Sequence, residues 1–294
     1  HKFKFGIYMT TKRIILFSSY FQSPDVPFYV SFYLSQLRPH ADKLVYITTD
    51  DKVLSSEDTK ALSVYADEVV QVKNEGYDFG MWQKMLQRYD VIDEYDELCL
   101  VNDSCVCFDS LAPYFRWHEE ILADVSGMTL SYDTTRHLQS FFLCIKRPAI
   151  ADAVTYIQQL ELQNASFEQV IQRGELGLSQ MLQEKGFLIQ GFYEMPESDT
   201  GNPTYSRCID LIRADVPLIK KKLFLHYSSQ ALRQLLYRKG AWRHQALIDE
   251  IQSKTGLSNN MLKRLFEWRT PCRMTMRERV RTIRWWVKYK LGKL

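Results

Sequence analysis

Short apolar runs alternate with amphipathic stretches along the first hundred residues. The apolar runs have the length and composition of buried strands: Arg13–Tyr20, Lys43–Thr49, Asp67–Val72 and Glu97–Val101. The stretches between them have helical patterns: Phe28–Leu37, Ser55–Ala66 and Gly80–Tyr89. Strands that alternate with helices at this spacing predict an α/β fold with a mostly parallel sheet and helices on both faces.

The pattern changes after Pro113. Two predicted strands, Val125–Tyr132 and Ser140–Lys146, flank the polar segment Asp133–Gln139. The later stretches predict helices: Ala149–Leu162, Gly174–Gly186, Ala231–Leu247 and Ser258–Glu267. Glu175 falls in the first turn of the helix predicted at Gly174–Gly186, where a carboxylate complements the helix dipole.

Polar clusters follow three of the predicted strands, at Asp50-Asp51, Asn74–Asp78 and Asn102–Ser104. In parallel sheets, ligands bind beyond the carboxyl ends of the strands, so these clusters are candidate binding residues. The chain has no GxGxxG after its first strand and no GxxxxGK[ST], which argues against a dinucleotide site or a P-loop. The sequence therefore predicts a nucleotide-binding sheet of another kind.

Composition indicates an ordinary globular protein, with 46% hydrophobic and 25% charged residues among 294. No apolar run reaches the roughly 20 residues of a membrane-spanning helix, and the first residues lack a signal-peptide pattern. The six cysteines are scattered and form no CxxC pair. We therefore expect a cytosolic protein with reduced, mostly buried thiols and no structural zinc.

Positive charge is concentrated at the C-terminal end. Residues 261–294 contain 11 Lys or Arg and 2 Asp or Glu, a net charge of +9; the whole chain carries +3, so the remainder carries −6. One apolar stripe recurs at helical spacing: Met276, Val280, Ile283, Val287, Leu291 and Leu294. Trp286 and Tyr289 widen it, and basic residues occupy the other side: Arg277, Arg281, Arg284 and Lys288.

This tail, at about 273–294, is typical of a helix that lies in a membrane interface. A helix packed on the protein body is the alternative. A role in binding nucleic acid is disfavoured, because the rest of the chain is acidic. We therefore expect a membrane surface, and no nucleic acid, as the partner of the tail.

Five sequence blocks occur in a distinctive order. They are NEGYDFGMW at 74–82, YDELCLVNDS at 95–104, SYD…HLQSFF at 131–142, ELGLSQ at 175–180, and NPTY at 202–205 with PLIK at 217–220. Together they resemble the rhamnan-synthesis F family of glycosyltransferases, which extend bacterial surface polysaccharides. The resemblance covers roughly residues 13–225.

The resemblance implies a GT-A-like domain over residues 1–225, with a donor half at about 13–110 and an acceptor half at about 111–225. A helical C-terminal region at 226–294 follows. In the GT-A fold, an Asp-x-Asp element grips the donor's pyrophosphate through a divalent cation. Asn102-Asp103-Ser104 occupies the matching place with one carboxylate instead of two, so Mg²⁺ or Mn²⁺ on Asp103 is expected but metal dependence stays open. A second metal ligand at His226 is a weaker expectation.

Donor contacts are expected from the block around the two glycines: Asn74, Gly76, Tyr77, Asp78 and Gly80, with Asn102 and Ser104. Gly76 and Gly80 allow close approach of backbone to a ligand, and a helix that starts near Gly80 points its N-terminus at an anion. Tight turns are the structural alternative for both glycines. Asp78 either binds a sugar or ribose hydroxyl or caps the helix.

Acceptor-side chemistry requires a general base if transfer inverts the anomeric centre. GT-A enzymes often place this carboxylate at a helix start in the acceptor half, which favours Glu175, with Asp133 as the second candidate. His137, Gln139 and Ser140 are expected to contact substrate. A run of lysines, Lys220–Lys222, either neutralises phosphates or forms a solvated charged surface, and we favour the second interpretation.

The sequence thus predicts a glycosyltransferase at the inner face of the bacterial cytoplasmic membrane, with a lipid-linked glycan as acceptor. The resemblance favours a dTDP-rhamnose donor, and a UDP-linked sugar, including UDP-galactofuranose, is the rival. The alternative is a non-catalytic glycan-binding or scaffold module of a polysaccharide-assembly complex. The single carboxylate of Asn102–Ser104 would then reflect lost catalysis.

Overall fold

The predicted strands of the N-terminal half form one side of a mixed sheet. The computed structural model describes residues 11–21, 25–51, 53–199, 201–224, 245–267 and the single positions 280, 283, 284, 287 and 291. The strands are β1 (Arg13–Ser19), β2 (Lys43–Thr49), β3 (Glu68–Val72), β4 (Glu97–Asn102), β5 (Cys105–Cys107), β6 (Val125–Ser131), β7 (His137–Leu138), β8 (Phe142–Lys146), β9 (Ile189–Glu194) and β10 (Leu218–Lys220).

The main sheet has the order β3-β2-β1-β4-β8-β6-β7, and β9 pairs with β6. The strands β3, β2, β1 and β4 run parallel to one another, as does the pair β6 and β9. The antiparallel strand β8 joins these two parallel groups. A separate antiparallel pair, β5 and β10, lies beyond the carboxyl end of β4.

Helices cover both faces of the sheet. They are α1 (Phe28–Leu37), α2 (Ser56–Leu62), α3 (Tyr77–Arg88), α4 (Val91–Glu94), α5 (Ala112–Glu120), α6 (Arg147–Gln158), α7 (Phe167–Val170), α8 (Gly177–Glu184), α9 (Pro203–Ser206), α10 (Cys208–Arg213) and α11 (Asn259–Leu265), and residues 245–255 are also helical. A π turn, Ile171–Leu176, joins α7 to α8, and Lys221–Leu223 forms a 3₁₀ turn.

The central strand β1 shows why the sheet needs two covered faces. All of its residues are buried, and they alternate between two apolar clusters. Ile15 and Phe17 pack on the side of α1 and α5, whereas Ile14 and Leu16 pack on the side of α3 and α6. A strand that is buried at every position needs cover on both faces of the sheet. The predicted α/β class, with a mostly parallel sheet and helices on both faces, is confirmed.

Two helix boundaries differ from the sequence prediction. The helix α3 begins at Tyr77 rather than near Gly80, because Gly76 adopts a left-handed conformation (φ 73°) and turns the chain into the helix. Glu175 does not lie in a first turn. The helical segment starts after the capping box of Ser166 and Gln169, so Glu175 lies inside it, in the π turn. The capping box was the signal for this earlier start.

The expectation of reduced cysteines is wrong for one pair. Cys99 of β4 and Cys144 of β8 lie directly opposite each other in the antiparallel ladder and are joined as a disulfide. Nothing in the linear spacing of these residues shows that β8 returns beside β4. Cys105 and Cys107 are buried thiols, as expected, and burial raises the pKa of both. Cys272 lies outside the described residues.

The C-terminal region is described only in part. Most of the predicted helix at Ala231–Leu247 and most of the basic tail lie outside the described residues. Four members of the predicted apolar stripe are described: Ile283 is half-buried, and Val280, Val287 and Leu291 are 44%, 41% and 62% exposed. In the part of the chain that the structure describes, no helix combines the length and apolar character needed to cross a bilayer.

Candidate active site

A cleft lies beyond the carboxyl ends of β1 and β4 and consists of two adjoining cavities. The strand-end cavity, of about 320 Å³, is lined by residues that follow β1, β3 and β4. The lysine-lined cavity, of about 390 Å³, continues toward the π turn and the 3₁₀ turn. Both cavities share a common wall: Asp78, Asn102, Ser104 and Phe167. The cleft therefore lies where open α/β sheets bind ligands.

Asp103 lies in this cleft and is only 6% exposed. Its Oδ2 accepts hydrogen bonds from the Ser19 hydroxyl (3.0 Å), the Tyr29 hydroxyl (2.9 Å) and the Lys221 ammonium (3.1 Å). Its backbone N–H donates to Ser18 O at the end of β1 (3.0 Å). Three donors on one oxygen fix the carboxylate, and the ammonium compensates its charge.

Asn102 shapes the turn that follows β4. Its amide oxygen accepts a hydrogen bond from the N–H of Ser104 (3.0 Å), which forms an Asx turn. Its amide nitrogen donates to Oδ2 of Asp78, so the two predicted site residues are in direct contact across the cleft. The N–H of Phe79 donates to Oδ1 of the same carboxylate (3.0 Å).

Asp78 has a perturbed acidity. Burial raises its pKa to about 6, and the charge of Glu175 adds to the rise, while the hydrogen bond from Asn102 and the N–H of Phe79 oppose it. Two carboxylates, Asp78 and Glu175, thus line one cavity, and the charge of Glu175 makes ionisation of Asp78 less favourable. Perturbed acids of this kind concentrate at functional sites.

The raised pKa of Asp78 predicts a pH-dependent cost to folding. The native state keeps the proton of Asp78 up to about pH 6, whereas the unfolded chain releases it near pH 3.8. The contribution of Asp78 to the free energy of unfolding therefore falls as the pH rises from about 3.8 to about 6. Relative to the wild type, Asp78→Asn should therefore gain up to about 3 kcal/mol of unfolding free energy between pH 4 and pH 7. Urea denaturation across this range tests it. If the difference in unfolding free energy between Asp78→Asn and the wild type does not vary with pH, the raised pKa of Asp78 is contradicted.

Glu175 enters the same cavity from the π turn. Its Oε2 accepts two hydrogen bonds from Ser140, one from the backbone N–H (2.6 Å) and one from the hydroxyl (2.7 Å). Its Oε1 lies 3.7 Å from Nε2 of His137. The Nδ1 of His137 is 2.7 Å from the Thr135 carbonyl oxygen, which can only accept, so Nδ1 carries the hydrogen. The other ring nitrogen, Nε2, faces Glu175.

The π turn explains the placement of Glu175. It displaces the backbone between α7 and α8, and such turns occur frequently at functional sites. Gly174, immediately before Glu175, packs against the Phe79 ring, where an added Cβ would lie 2.7 Å from two ring carbons. This contact brings the π turn against α3, so Glu175 faces Asp78 across the cavity.

The expectation of a solvated charge run at Lys220–Lys222 is wrong for Lys220 and Lys221, whereas Lys222 is exposed as expected. Lys220 and Lys221 are partly buried, and all three lysines line the lysine-lined cavity. The Lys220 ammonium bonds to the Ser104 hydroxyl (3.0 Å) and lies 4.9 Å from the Phe141 ring centroid. The Lys222 ammonium lies 5.0 Å from the centroid of Phe167. Burial lowers the pKa of Lys222, and the charge of Lys220 contributes to the same shift.

The side chains around Asp103 do not fit a resident divalent cation in this arrangement. A hard cation takes several oxygen ligands, but Lys221 occupies the Oδ2 side of Asp103 and the Asn102 oxygen already accepts from Ser104. Within the described ranges, no three His, Cys, Asp or Glu side chains group as metal ligands. His226 lies outside those ranges. The expectation of Mg²⁺ or Mn²⁺ on Asp103 thus requires Lys221 to move.

Most predicted site residues line the cleft: Asn74, Tyr77, Asp78, Asn102, Asp103, Ser104, Gln139, Ser140 and Glu175. His137 is buried behind Glu175 and lines neither cavity. Gly76 and Gly80 also line neither cavity, because they form the turn into α3 and its first turn. Asp133 lies outside both cavities, and its N–H bonds to the Ser131 hydroxyl (3.0 Å).

Several cleft residues were not singled out from the sequence. Ser19 and Tyr29 hold Asp103, but a hydroxyl at the end of an apolar strand and a tyrosine on an apolar helix face give no sequence signal. Phe167 follows the capping residue Ser166 and separates the two cavities. Asn202 and Tyr205 belong to one of the five blocks and line the lysine-lined cavity, so the block itself was their signal.

Comparison with solved structures finds nucleotide-sugar enzymes. One is a protein of Desulfovibrio desulfuricans G20 described as a nucleotide-diphospho-sugar transferase (13% identity, 80% of this chain and 98% of that chain, TM-score 0.41). Others are the mannosyltransferase PcManGT of Pyrobaculum calidifontis in complex with GDP-Man and Mn²⁺ (9%, 97% and 89%, 0.40) and the glycosyltransferase GlyE of Streptococcus pneumoniae TIGR4 (12%, 84% and 64%, 0.36). At these scores, none of them defines a substrate for this chain. No curated protein matches the sequence.

The fold and the cleft define an α/β protein with its binding site at the carboxyl ends of a mostly parallel sheet. The family model of rhamnan synthesis protein F matches residues 45–265, which is most of the chain. The chain belongs to the rhamnan synthesis protein F family.

Proposed function

We propose that this protein is a glycosyltransferase that moves a sugar from a nucleotide-sugar donor to a growing bacterial surface polysaccharide. The observation that carries the proposal is the composition of one cleft. It combines three ammonium groups, at Lys220–Lys222, with a carboxylate, Glu175, that is held by Ser140. Transfer from a nucleoside diphosphate sugar needs both, namely positive charge for the leaving diphosphate and a base for the attacking hydroxyl.

The two cavities divide these tasks between them. The strand-end cavity adjoins β1, β3 and β4 and suits the nucleotide, with Tyr20 and Tyr77 on its wall, each 46% exposed and able to stack on a base. The lysine-lined cavity suits the diphosphate, the transferred sugar and the acceptor hydroxyl. The donor's anomeric carbon then lies near the common wall of Asp78, Asn102 and Ser104.

In the proposed step, an acceptor hydroxyl attacks the anomeric carbon of the donor sugar. A new C–O bond forms as the bond from that carbon to the diphosphate oxygen breaks, and the bonding electrons leave with the nucleoside diphosphate. Glu175 takes the hydroxyl proton through its Oε1, while Ser140 holds Oε2. The imidazole of His137 lies behind this carboxylate, with its Nε2 3.7 Å from Oε1. Asp133 remains the second candidate base.

The family name indicates the polysaccharide class, and the donor is proposed on that ground. We expect dTDP-rhamnose, with a UDP-linked sugar such as UDP-galactofuranose as the rival donor. Gln139, whose Oε1 accepts from the Thr129 hydroxyl (2.7 Å), and Asn202 line the cavity in which sugar hydroxyls would bind. Amides of this kind donate and accept at once, which suits hydroxyl recognition.

We further propose that the basic tail docks on the inner face of the cytoplasmic membrane, where a lipid-linked acceptor is presented. Although Ile283 of the same stripe is half-buried, the exposure of Val280, Val287 and Leu291 supports this, because a stripe packed on the protein body would be covered at these positions. These positions are seven and four residues apart, which places them on one side of a helix. Anionic lipid attracts each nearby basic residue by about 1 kcal/mol.

Release of nucleoside diphosphate tests the proposed activity. The assay compares dTDP-rhamnose, UDP-galactofuranose, UDP-glucose and GDP-mannose in the presence of a synthetic lipid-linked glycan. We expect acceptor-dependent release from one donor, and loss of it in Asp103→Ala, because this change removes the group that positions Lys221. A thermal melt of the variant shows whether it remains folded. If folded wild-type protein releases no nucleotide from any donor, the scaffold function replaces the proposed one.

A further inference from the structure

We propose that Lys220, Lys221 and Lys222 hold the donor diphosphate directly and take the place of a divalent cation, so that binding and transfer are independent of metal. This inference rests on the proposed function, because it assigns the charge that neutralises the leaving group. It also gives Asp103 a different task from the one its motif position suggests. In this arrangement Asp103 positions a lysine instead of ligating a metal.

The backbone explains how three consecutive lysines reach one cavity. Along a strand, neighbouring side chains point to opposite faces, so a lysine run on a strand would place at most every second ammonium in a site. Here β10 ends at Lys220, and the 3₁₀ turn Lys221–Leu223 follows at once. The change of backbone conformation brings all three side chains to the same cavity wall. A lysine run that served only to keep the surface soluble would not require all three side chains to face one cavity.

Local contacts hold the turn beside the loop that follows β4. The N–H of Lys221 donates to the Ser104 carbonyl oxygen (3.0 Å), and the Lys220 ammonium donates to the Ser104 hydroxyl (3.0 Å). The Lys221 ammonium also donates to the hydroxyl of Tyr29 (2.7 Å), which in turn donates to Asp103. The ammonium groups of Lys220 and Lys221 are therefore fixed before a ligand arrives, which lowers the entropic cost of binding an anion.

The three carboxylates of the cleft, Asp78, Asp103 and Glu175, match its three lysines in number, but among the described residues only Lys221 forms an ion pair with one of them. Asp103 is compensated by Lys221, and Glu175 is hydrogen-bonded to Ser140. Among the described residues, no carboxylate forms an ion pair with Lys220 or Lys222, whose ammonium groups contact a hydroxyl and aromatic rings. These two cations remain to bind the diphosphate oxygens. Lysine is an established phosphate ligand, acting as a point charge.

Calorimetric binding of dTDP, UDP and inorganic pyrophosphate, in EDTA and in Mn²⁺, tests the proposal. For wild-type protein we expect nucleoside diphosphate affinities that agree within about twofold between the two conditions. Lys220→Gln and Lys222→Gln should each bind about 10- to 100-fold more weakly, since each loses a charge-assisted hydrogen bond. Lys220→Arg should restore most of the affinity. Lys60→Gln, an exposed lysine on α2, is the matched control and should bind normally.

Two results overturn the inference: tenfold or greater loss of nucleotide affinity in EDTA, or wild-type affinity in folded Lys220→Gln and Lys222→Gln. In either case the proposed activity survives if transfer is seen. Conversely, diphosphate binding could depend on the lysines and not on metal while no donor supports transfer. That result would support the lysine assignment and contradict the proposed function. Tighter binding of a nucleoside diphosphate than of pyrophosphate assigns the lysines to the donor. The reverse order shows that the nucleoside adds no affinity and contradicts the assignment of the lysines to the donor.

Discussion

Replacing Glu175 by Gln is expected to lower kcat for sugar transfer by about 10²- to 10⁴-fold, the usual contribution of a general base. The amide has nearly the same shape and its oxygen still accepts from Ser140, so the cavity should keep its form. It cannot take a proton from the acceptor hydroxyl. Steady-state kinetics with saturating donor and acceptor measure the effect, and nucleotide affinity should be unchanged because Glu175 does not contact the leaving group.

Glu184→Gln provides the matched control. Glu184 is exposed at the end of α8, on the same helical segment, and should leave kcat within about threefold of wild type, because exposed substitutions rarely matter. If Glu175→Gln remains within that range while Asp133→Asn is inactive, the base is Asp133. If both retain activity, no carboxylate named in this account acts as the base.

Replacing Gly80 by Ala is expected to destabilise the fold by about 3 kcal/mol or more. A Cβ on Gly80 would lie 1.7 Å from the Glu75 carbonyl oxygen, so the turn into α3 would have to shift. Overpacking of this kind costs about 1–3 kcal/mol in side-chain cores, and here the contact is with backbone, which yields less. Chemical denaturation measures the change in stability. The variant should also bind nucleotide more weakly, because the strand-end cavity is built on the same turn.

Gly186→Ala separates steric clash from backbone preference. Gly186 has φ 86° but no atom within 4 Å of an added Cβ, so only the left-handed conformation is penalised, by about 1 kcal/mol. Gly80→Ala should therefore be clearly the less stable of the two. A Gly80→Ala protein with wild-type stability and weakened nucleotide binding would return Gly80 to the ligand-contact role that the sequence suggested.

The elements that the sequence specified well are those whose signal is local. The helix Phe28–Leu37 and the strand Lys43–Thr49 have the bounds that their patterns predict, because proline, polar ends and a continuous apolar run all act within a few residues. The strand order and the pairing of Cys99 with Cys144 depend on where β8 inserts. That is a choice between long-range pairings, which periodicity does not encode.

The candidate site was predictable in part for the same reason. Asp78, Asn102 and Asp103 lie at or beyond the carboxyl ends of β3 and β4, so the rule that ligands bind at these ends predicts that they line one site. The sequence did not predict that the lysines line a cavity, because a run of lysines looks the same in the sequence whether it lies on the surface or in a cavity. Only the change from β10 to the 3₁₀ turn distinguishes them. Glu175 was found, but its position inside a π turn depends on packing against Phe79.

Growth of the acceptor is the most direct test of the central claim that this cleft transfers a sugar. Mass spectrometry of a synthetic lipid-linked glycan, incubated with purified protein and each nucleotide sugar in turn, reports the product itself. We predict an increase by the mass of one sugar residue with a single donor, absent with Glu175→Gln over the same time. An acceptor whose mass stays unchanged with every donor, in the presence of folded wild-type protein and with or without Mn²⁺, would contradict the account.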